Sequence, residues 1–169
     1  RSTPSNSSAA SDVYKRQISE WIKDFPSVFF IGRGIGYPIA LEGALKMKEI
    51  SYIHAEGFAA GELKHGPFAL LTENTPVVAV MIKDESYEKI LGNIAEIKSR
   101  GSPVVAITEK GDSTVREIAD MVIEYPETLP MISSIPISVI LQLLAYHTAE
   151  LRGCPIDKPR NLAKSVTVE

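Results

Sequence analysis

The stretch Val28-Phe29-Phe30-Ile31-Gly32-Arg33-Gly34-Ile35-Gly36-Tyr37-Pro38-Ile39-Ala40-Leu41-Glu42 decides the fold. Its first four residues are continuously apolar, so they read as a short strand buried on both faces, stopped by the turn Gly32-Arg33-Gly34. Pro38 then marks the first turn of a helix. Similar apolar runs follow at Val77–Ile82 and Val104–Thr108, with a weaker one at Met121–Tyr125. Helical patterns cover Pro38–Tyr52, Tyr87–Arg100, Ser113–Ala119 and Ile135–Arg152, and Gly101 and Gly153 close two of them. Strands that are apolar throughout and alternate with helices require a sheet covered on both sides. The expected fold is α/β: a three-layer α/β/α sandwich around a mostly parallel sheet.

The whole chain of 169 residues, 44% hydrophobic and 23% charged, suffices for one core. Arg1 to about Asp12 is dominated by Ser, Ala, Asn and Pro, and residues 1–17 are expected to form a disordered polar tail, followed by a folded domain over 18–150 and a C-terminal tail over 151–169. A net charge of −3 without a Lys/Arg run argues against nucleic acid and anionic membrane surfaces as partners. The apolar stretch Ile132–Ala145 is broken by Ser133, Ser134, Pro136, Ser138 and Gln142, too polar for a membrane span. Arg1–Gln17 has no apolar signal-peptide core. With Cys154 as the single cysteine, an intramolecular disulfide is impossible, and a reducing, cytoplasmic setting is expected.

In open α/β sheets ligands gather at the carboxyl ends of the strands, here Gly32–Gly36, Lys83–Glu85 and Glu109–Thr114. The glycines do not complete a dinucleotide fingerprint, because the third would fall where Tyr37 stands; a tight strand-to-helix turn is the better reading. Glu42, Lys46 and Glu49 project from one face of the second-layer helix, with Ile39, Leu41, Leu45 and Ile50 expected to supply its packing side. By spacing alone, this row is either a solvated face laced by Glu–Lys pairs or a catalytic row. His65, between Lys64 and Gly66, is suited to proton transfer near neutrality or to a structural role. His54 and His65 are too far apart for a helical metal pair, and no metal is expected. Asp112 is expected to cap the helix that follows it rather than frame a phosphate site, and His147 to be packed within its helix.

Two longer motifs carry a resemblance: Tyr37-Pro38-Ile39-Ala40-Leu41-Glu42-Gly43-Ala44-Leu45-Lys46-Met47-Lys48-Glu49-Ile50-Ser51-Tyr52-Ile53-His54-Ala55-Glu56 with Gly61-Glu62-Leu63-Lys64-His65-Gly66-Pro67, and the terminal Asp157-Lys158-Pro159-Arg160-Asn161-Leu162-Ala163-Lys164-Ser165-Val166-Thr167-Val168-Glu169. In these motifs, over about Ile18–Glu169, the chain resembles the second sugar-isomerase (SIS) domain of the glucosamine-6-phosphate synthase family. The resemblance implies a flavodoxin-like fold and a sugar phosphate as ligand, fructose-6-phosphate or glucosamine-6-phosphate. It implies no cofactor. Carried onto this sequence, Glu49 is the base that moves a proton between sugar carbons 1 and 2, and Lys46 assists beside it. His65 opens the sugar ring across a homodimer interface, Lys164 forms a Schiff base with the open ketose, and Ala163 lines the sugar through its backbone. The family's glutaminase domain and first SIS domain are not recognised in these residues, so the chain by itself is expected to be inactive. A related SIS deglycase or isomerase, or a sugar-phosphate-binding module without chemistry, is less consistent with Lys46, Glu49, His65 and Lys164 occurring together.

Overall fold

In the computed structural model, which describes residues 7–162, the opening apolar run forms strand β1 (Ser27–Gly32). Around it stand α1 (Ser7–Ile22), α2 (Gly36–Ser51), β2 (His54–Ala59), β3 (Val77–Val80), α3 (Tyr87–Lys98), β4 (Val104–Glu109), α4 (Ser113–Ile118), β5 (Met121–Tyr125) and α5 (Ser134–Leu151). Two 3₁₀ turns, Ala60–His65 and Pro67–Leu70, bridge β2 to β3. The five strands form one sheet in the order β2-β1-β3-β4-β5, and every pairing is parallel.

Because strand side chains alternate between faces, β1 feeds two cores. Val28 and Phe30 join Ile18, Ile22, Ala44, Met47, Leu141 and Leu144 beneath α1, α2 and α5. Phe29 and Ile31 join Leu63, Ile90, Ile94, Ile97 and Val115 on the side of α3 and α4. This is the expected three-layer sandwich. Gly101 and Gly153 take φ of 80° and 68°, the left-handed geometry that ends a helix most cheaply at glycine.

Three local expectations are corrected. The N-terminal helix α1 begins at Ser7, inside the stretch expected to be disordered. Ile18 and Ile22, one turn apart, are both buried, and the Ser19 hydroxyl donates to the Leu144 carbonyl of α5 at 3.2 Å. Within that stretch Arg16 pairs with Glu150 of α5 at 3.3 Å and the Tyr14 hydroxyl accepts from the Val122 amide at 3.4 Å, so tertiary contacts reach into it. On α2 the packing side is Ile39, Ala40, Gly43, Ala44, Met47 and Ser51, whereas Leu41 and Leu45 are exposed. Small residues face inward because the helix runs close to its neighbours: a Cβ on Gly43 would meet Leu141 Cδ2 at 2.8 Å and Phe30 Cδ1 at 3.1 Å. Strand β2, unmarked by any apolar run, lies at the sheet edge and pairs only with β1, so its sequence His-Ala-Glu-Gly-Phe-Ala need not be hydrophobic throughout.

The turn from β1 into α2 depends on glycine. A Cβ on Gly32 would lie 2.2 Å from the Gly36 carbonyl oxygen, and Gly34 has φ of 50°. The obstructing atom at Gly32 is backbone, so no side-chain rotation relieves it. Gly32→Ala is expected to destabilise the fold by about 3 kcal/mol, the upper part of the overpacking range. Urea denaturation measures this; a loss under about 1 kcal/mol would mean that the turn relaxes freely.

Candidate functional site

Helix α2 presents Glu42, Lys46 and Glu49 together. The Lys46 ammonium donates to Glu49 Oε2 at 2.8 Å and stands 3.7 Å from Glu42 Oε1. The row is only half solvated: Lys46 and Glu49 side chains are 33% and 27% exposed, flanked by exposed Leu41 and Leu45. The hydrogen bond to Glu49 raises the Lys46 pKa above its ordinary 10.5, burial opposing and the nearby carboxylates reinforcing the shift. On one flank Lys46 borders an apolar groove of about 500 Å³ formed with Ile50, Val139, Gln142, Leu143 and Tyr146.

On the other flank, Glu49 lines a cleft of about 340 Å³ whose walls are Leu45, Lys48, Tyr52, Arg160, Asn161 and Leu162. The chain after α5 thus returns to the end of α2. Arg152 Nε donates to the Ser51 carbonyl at 2.9 Å, the Cys154 thiol lies 3.6 Å from the same oxygen, and the Arg160 amide donates to the Tyr52 hydroxyl at 2.8 Å. The Arg160 guanidinium stacks over the Tyr52 ring, 4.2 Å from its centre. Tyr52 holds φ 60° and ψ 18°, a left-handed geometry that costs a non-glycine residue about 1–2 kcal/mol. Neither Tyr52 nor Arg160 is marked by spacing, since they lie far apart in sequence; only a tyrosine where a helix-ending glycine is usual offers a sequence signal.

His65 closes the first 3₁₀ turn, with its side chain 63% exposed and Nε2 at 3.9 Å from Glu62 Oε2. Its partner there is Glu62, and no contact among the described residues joins it to Lys46 or Glu49. Ala163 and Lys164 lie outside the described residues. His54 opens β2, with Nδ1 at 3.0 Å from the Ser27 hydroxyl. His147 is packed edge-on against Tyr146, its Nδ1 buried.

At the carboxyl ends of β1 and β3, two of the three expected loop segments meet in a cleft of about 640 Å³ lined by Arg33, Gly34, Tyr37, Glu62, Glu85, Ser86 and Lys89. Arg33 Nε is tied to Asn93 Oδ1 at 2.8 Å. The third segment is closed by its own side chains. Asp112 accepts from the Tyr87 hydroxyl at 2.7 Å, the Thr108 hydroxyl at 2.7 Å and the Val115 amide at 3.4 Å. Burial pushes its carboxyl up, but these donors and Lys83 outweigh it and leave the pKa below the ordinary 3.8. The carboxylate therefore occupies the start of α4 as a cap. Among the described residues, no group of three or more His, Cys, Asp or Glu is placed to hold a metal, and no helix is long and apolar enough to cross a membrane.

The Lys46–Glu49 bond is testable directly. Because that bond is the main cause of the raised Lys46 pKa, Glu49→Gln is expected to lower it. NMR titration of the lysine Cε resonance measures the change, and an unmoved titration would mean that the pair is not formed in solution.

The family model for the SIS domain matches residues 22–151. The chain is 55% identical over 158 residues to the glutamine–fructose-6-phosphate aminotransferase (isomerizing) of Methanosarcina acetivorans, covering 92% of this chain and 26% of that protein. Among solved structures it is similar to the C-terminal domain of glucosamine-fructose-6-phosphate aminotransferase from Francisella tularensis, with a TM-score of 0.81, 42% identity, and coverage of 89% of this chain and 42% of that one. It is also similar to glucosamine-6-phosphate deaminase from Thermotoga maritima, with a TM-score of 0.72, 28% identity, and coverage of 93% and 46%. The chain spans about a quarter of the length of the curated relatives it matches. A parallel five-stranded α/β sandwich, matched over most of its length in both sequence and backbone, places this chain in the SIS domain family.

Proposed function

We propose that this chain is the isomerase part of a glutamine-dependent glucosamine-6-phosphate synthase and acts on fructose-6-phosphate. The observation that carries the reading is the meeting of Glu49 with the start of the C-terminal tail in one cleft. Lys164 follows Leu162, a wall of that cleft, by two positions in the sequence. The likeness to aminotransferases that use fructose-6-phosphate supports the choice of sugar.

In this reading His65 opens the furanose, taking the proton of the hydroxyl on carbon 2 while the ring oxygen gains one. The Lys164 amine adds to the exposed carbonyl and water leaves, giving an imine. Ammonia released from glutamine by the rest of the synthase then displaces the lysine at carbon 2. Glu49 moves a proton from carbon 1 to carbon 2 while the hydroxyl on carbon 1 loses its proton and the imine nitrogen gains one, converting the ketose imine to the 2-amino aldose, and the Lys46 ammonium offsets negative charge developing on the oxygen of carbon 1. Ala163 contacts the sugar through its backbone. The exposure of His65 and its separation from the α2 pair support its serving the neighbouring subunit's site in a homodimer. The protein works in the cytoplasm, without metal or cofactor, and this chain by itself does not complete the reaction because the ammonia source and the sugar-phosphate cradle belong to other parts of the synthase.

The test traps the imine with borohydride in the presence of fructose-6-phosphate, on this chain and on a protein restored to the relatives' full length. Peptide mass spectrometry is expected to place the adduct on Lys164 and to find none in Lys164→Arg. Absence of a Lys164 adduct in the full-length protein would overturn the reading.

A further inference from the structure

The cleft at the carboxyl ends of β1 and β3 shares no lining residue with the two grooves beside the α2 row. Its central feature is Arg33, half-buried and held from two sides. Arg33 Nε donates to Asn93 Oδ1 at 2.8 Å, and the buried Asn93 is itself oriented by donating Nδ2 to Glu96 Oε2 at 3.4 Å. The guanidinium rests against Gly61, where a Cβ would stand 2.8 Å from Nη2 and 3.5 Å from Nη1. Among the described residues, neither Nη group has a hydrogen-bond or ion-pair partner, although Glu62 and Glu85 line the same cleft. Lys89, on the first turn of α3, makes no ion pair among the described residues either. Asp84, the remaining nearby acid, accepts from the Ser86 amide at 2.8 Å and the Ser86 hydroxyl at 2.6 Å. Cations and carboxylates thus border one cleft of about 640 Å³ without neutralising each other.

We propose that this cleft is a second ligand site, in which Arg33 and Lys89 hold a phosphate or carboxylate while Glu62 and Glu85 accept hydroxyl groups of the same molecule. With Nε engaged by Asn93, the guanidinium keeps its outer edge, where two parallel N–H bonds match two oxygens of one oxyanion. Asn93 and Gly61 fix the fork in advance, so binding costs less side-chain entropy than it would at a free arginine. The carboxylates decide what else the ligand carries. Glu62 and Glu85 repel a bare anion, whereas hydroxyls donate to them and leave the charge at the cationic end. Tyr37, on the same wall, adds a phenol that donates or accepts. The ligand class is therefore a small polyhydroxy compound bearing one oxyanion. The site stands apart from Lys46 and Glu49 and does not rest on the function proposed for them.

The experiment follows backbone amide and arginine Nε–H resonances of the isotope-labelled chain by NMR while inorganic phosphate, glycerol 3-phosphate, glycerate or glycerol is added. Glycerol 3-phosphate or glycerate is expected to shift Gly34, Ser86, Lys89 and the Arg33 Nε–H, and the tighter of the two tells phosphate from carboxylate. Inorganic phosphate, which offers Glu62 and Glu85 no polyol, is expected to bind about tenfold more weakly than glycerol 3-phosphate. Arg33→Gln removes the fork and is expected to weaken binding about tenfold or more. Gly61→Ala keeps every charge but places a methyl where the guanidinium rests, and is expected to weaken binding about threefold or more with the spectrum away from the cleft unchanged. Lys89→Gln, at an exposed position, is expected to cost about threefold and guards against a variant of Arg33 that fails to fold. Glu49→Gln is expected to leave the shifts as they are. Shifts that survive both Arg33→Gln and Gly61→Ala, that gather on the α2 flank, or that glycerol alone reproduces would overturn the site. A failure to trap an imine on Lys164 would leave it standing.

Discussion

Close approach between α2 and the sheet is the constraint on which the rest of the molecule depends. Gly32 admits the Gly36 carbonyl at a distance that no Cβ would allow, Gly36 lies against Val80, and Gly43 faces Leu141 and Phe30. With Gly43, Ala40 and Ala44 turned inward beside Ile39 and Met47, α2 lies tight between β1 and α5. Leu41, Leu45, Glu42, Lys46 and Glu49 therefore stand on the outer flank, where a ligand or another polypeptide surface can meet them. The fold and the site share one cause.

That outer flank is chemically mixed. A cation held by two carboxylates in partial burial keeps its charge, and an apolar groove toward α5 lies beside it. Such a setting strengthens the interaction of Lys46 with any developing negative charge more than a fully exposed lysine would. The tail completes the arrangement by returning to the carboxyl end of α2, so that elements separated by most of the chain border one cleft.

The strand ends tell a different story. Of the three loops that the topology brings to the usual ligand edge, Arg33–Gly34 and Glu85–Ser86 enclose an open cleft with balanced charge. The loop at Asp112 is filled by its own hydrogen bonds to Tyr87, Thr108 and Val115. Closure of that loop ties the start of α3 to the start of α4, while the candidates Lys46 and Glu49 stand together on the α2 flank.

The sequence by itself determined the buried parallel strands, the helices between them, and the polar row on α2, because periodicity and glycine punctuation are local properties that burial on two faces imposes directly. Its motifs also carried the likeness to SIS domains. It misread the inward face of α2, since hydrophobicity favours Leu41 and Leu45 while Ile39, Ala40, Gly43, Ala44 and Met47 are the residues turned inward, with no room for a Cβ at Gly43. It missed the edge strand β2, which needs apolar residues on few positions, and the helix α1, which is ordered by α5 through Ile18, Ile22 and Ser19. The pairing of Tyr52 with Arg160 was decided only in three dimensions. Contacts between residues so distant in the chain leave no periodic trace, because they arise from where α5 ends and not from any pattern near either residue.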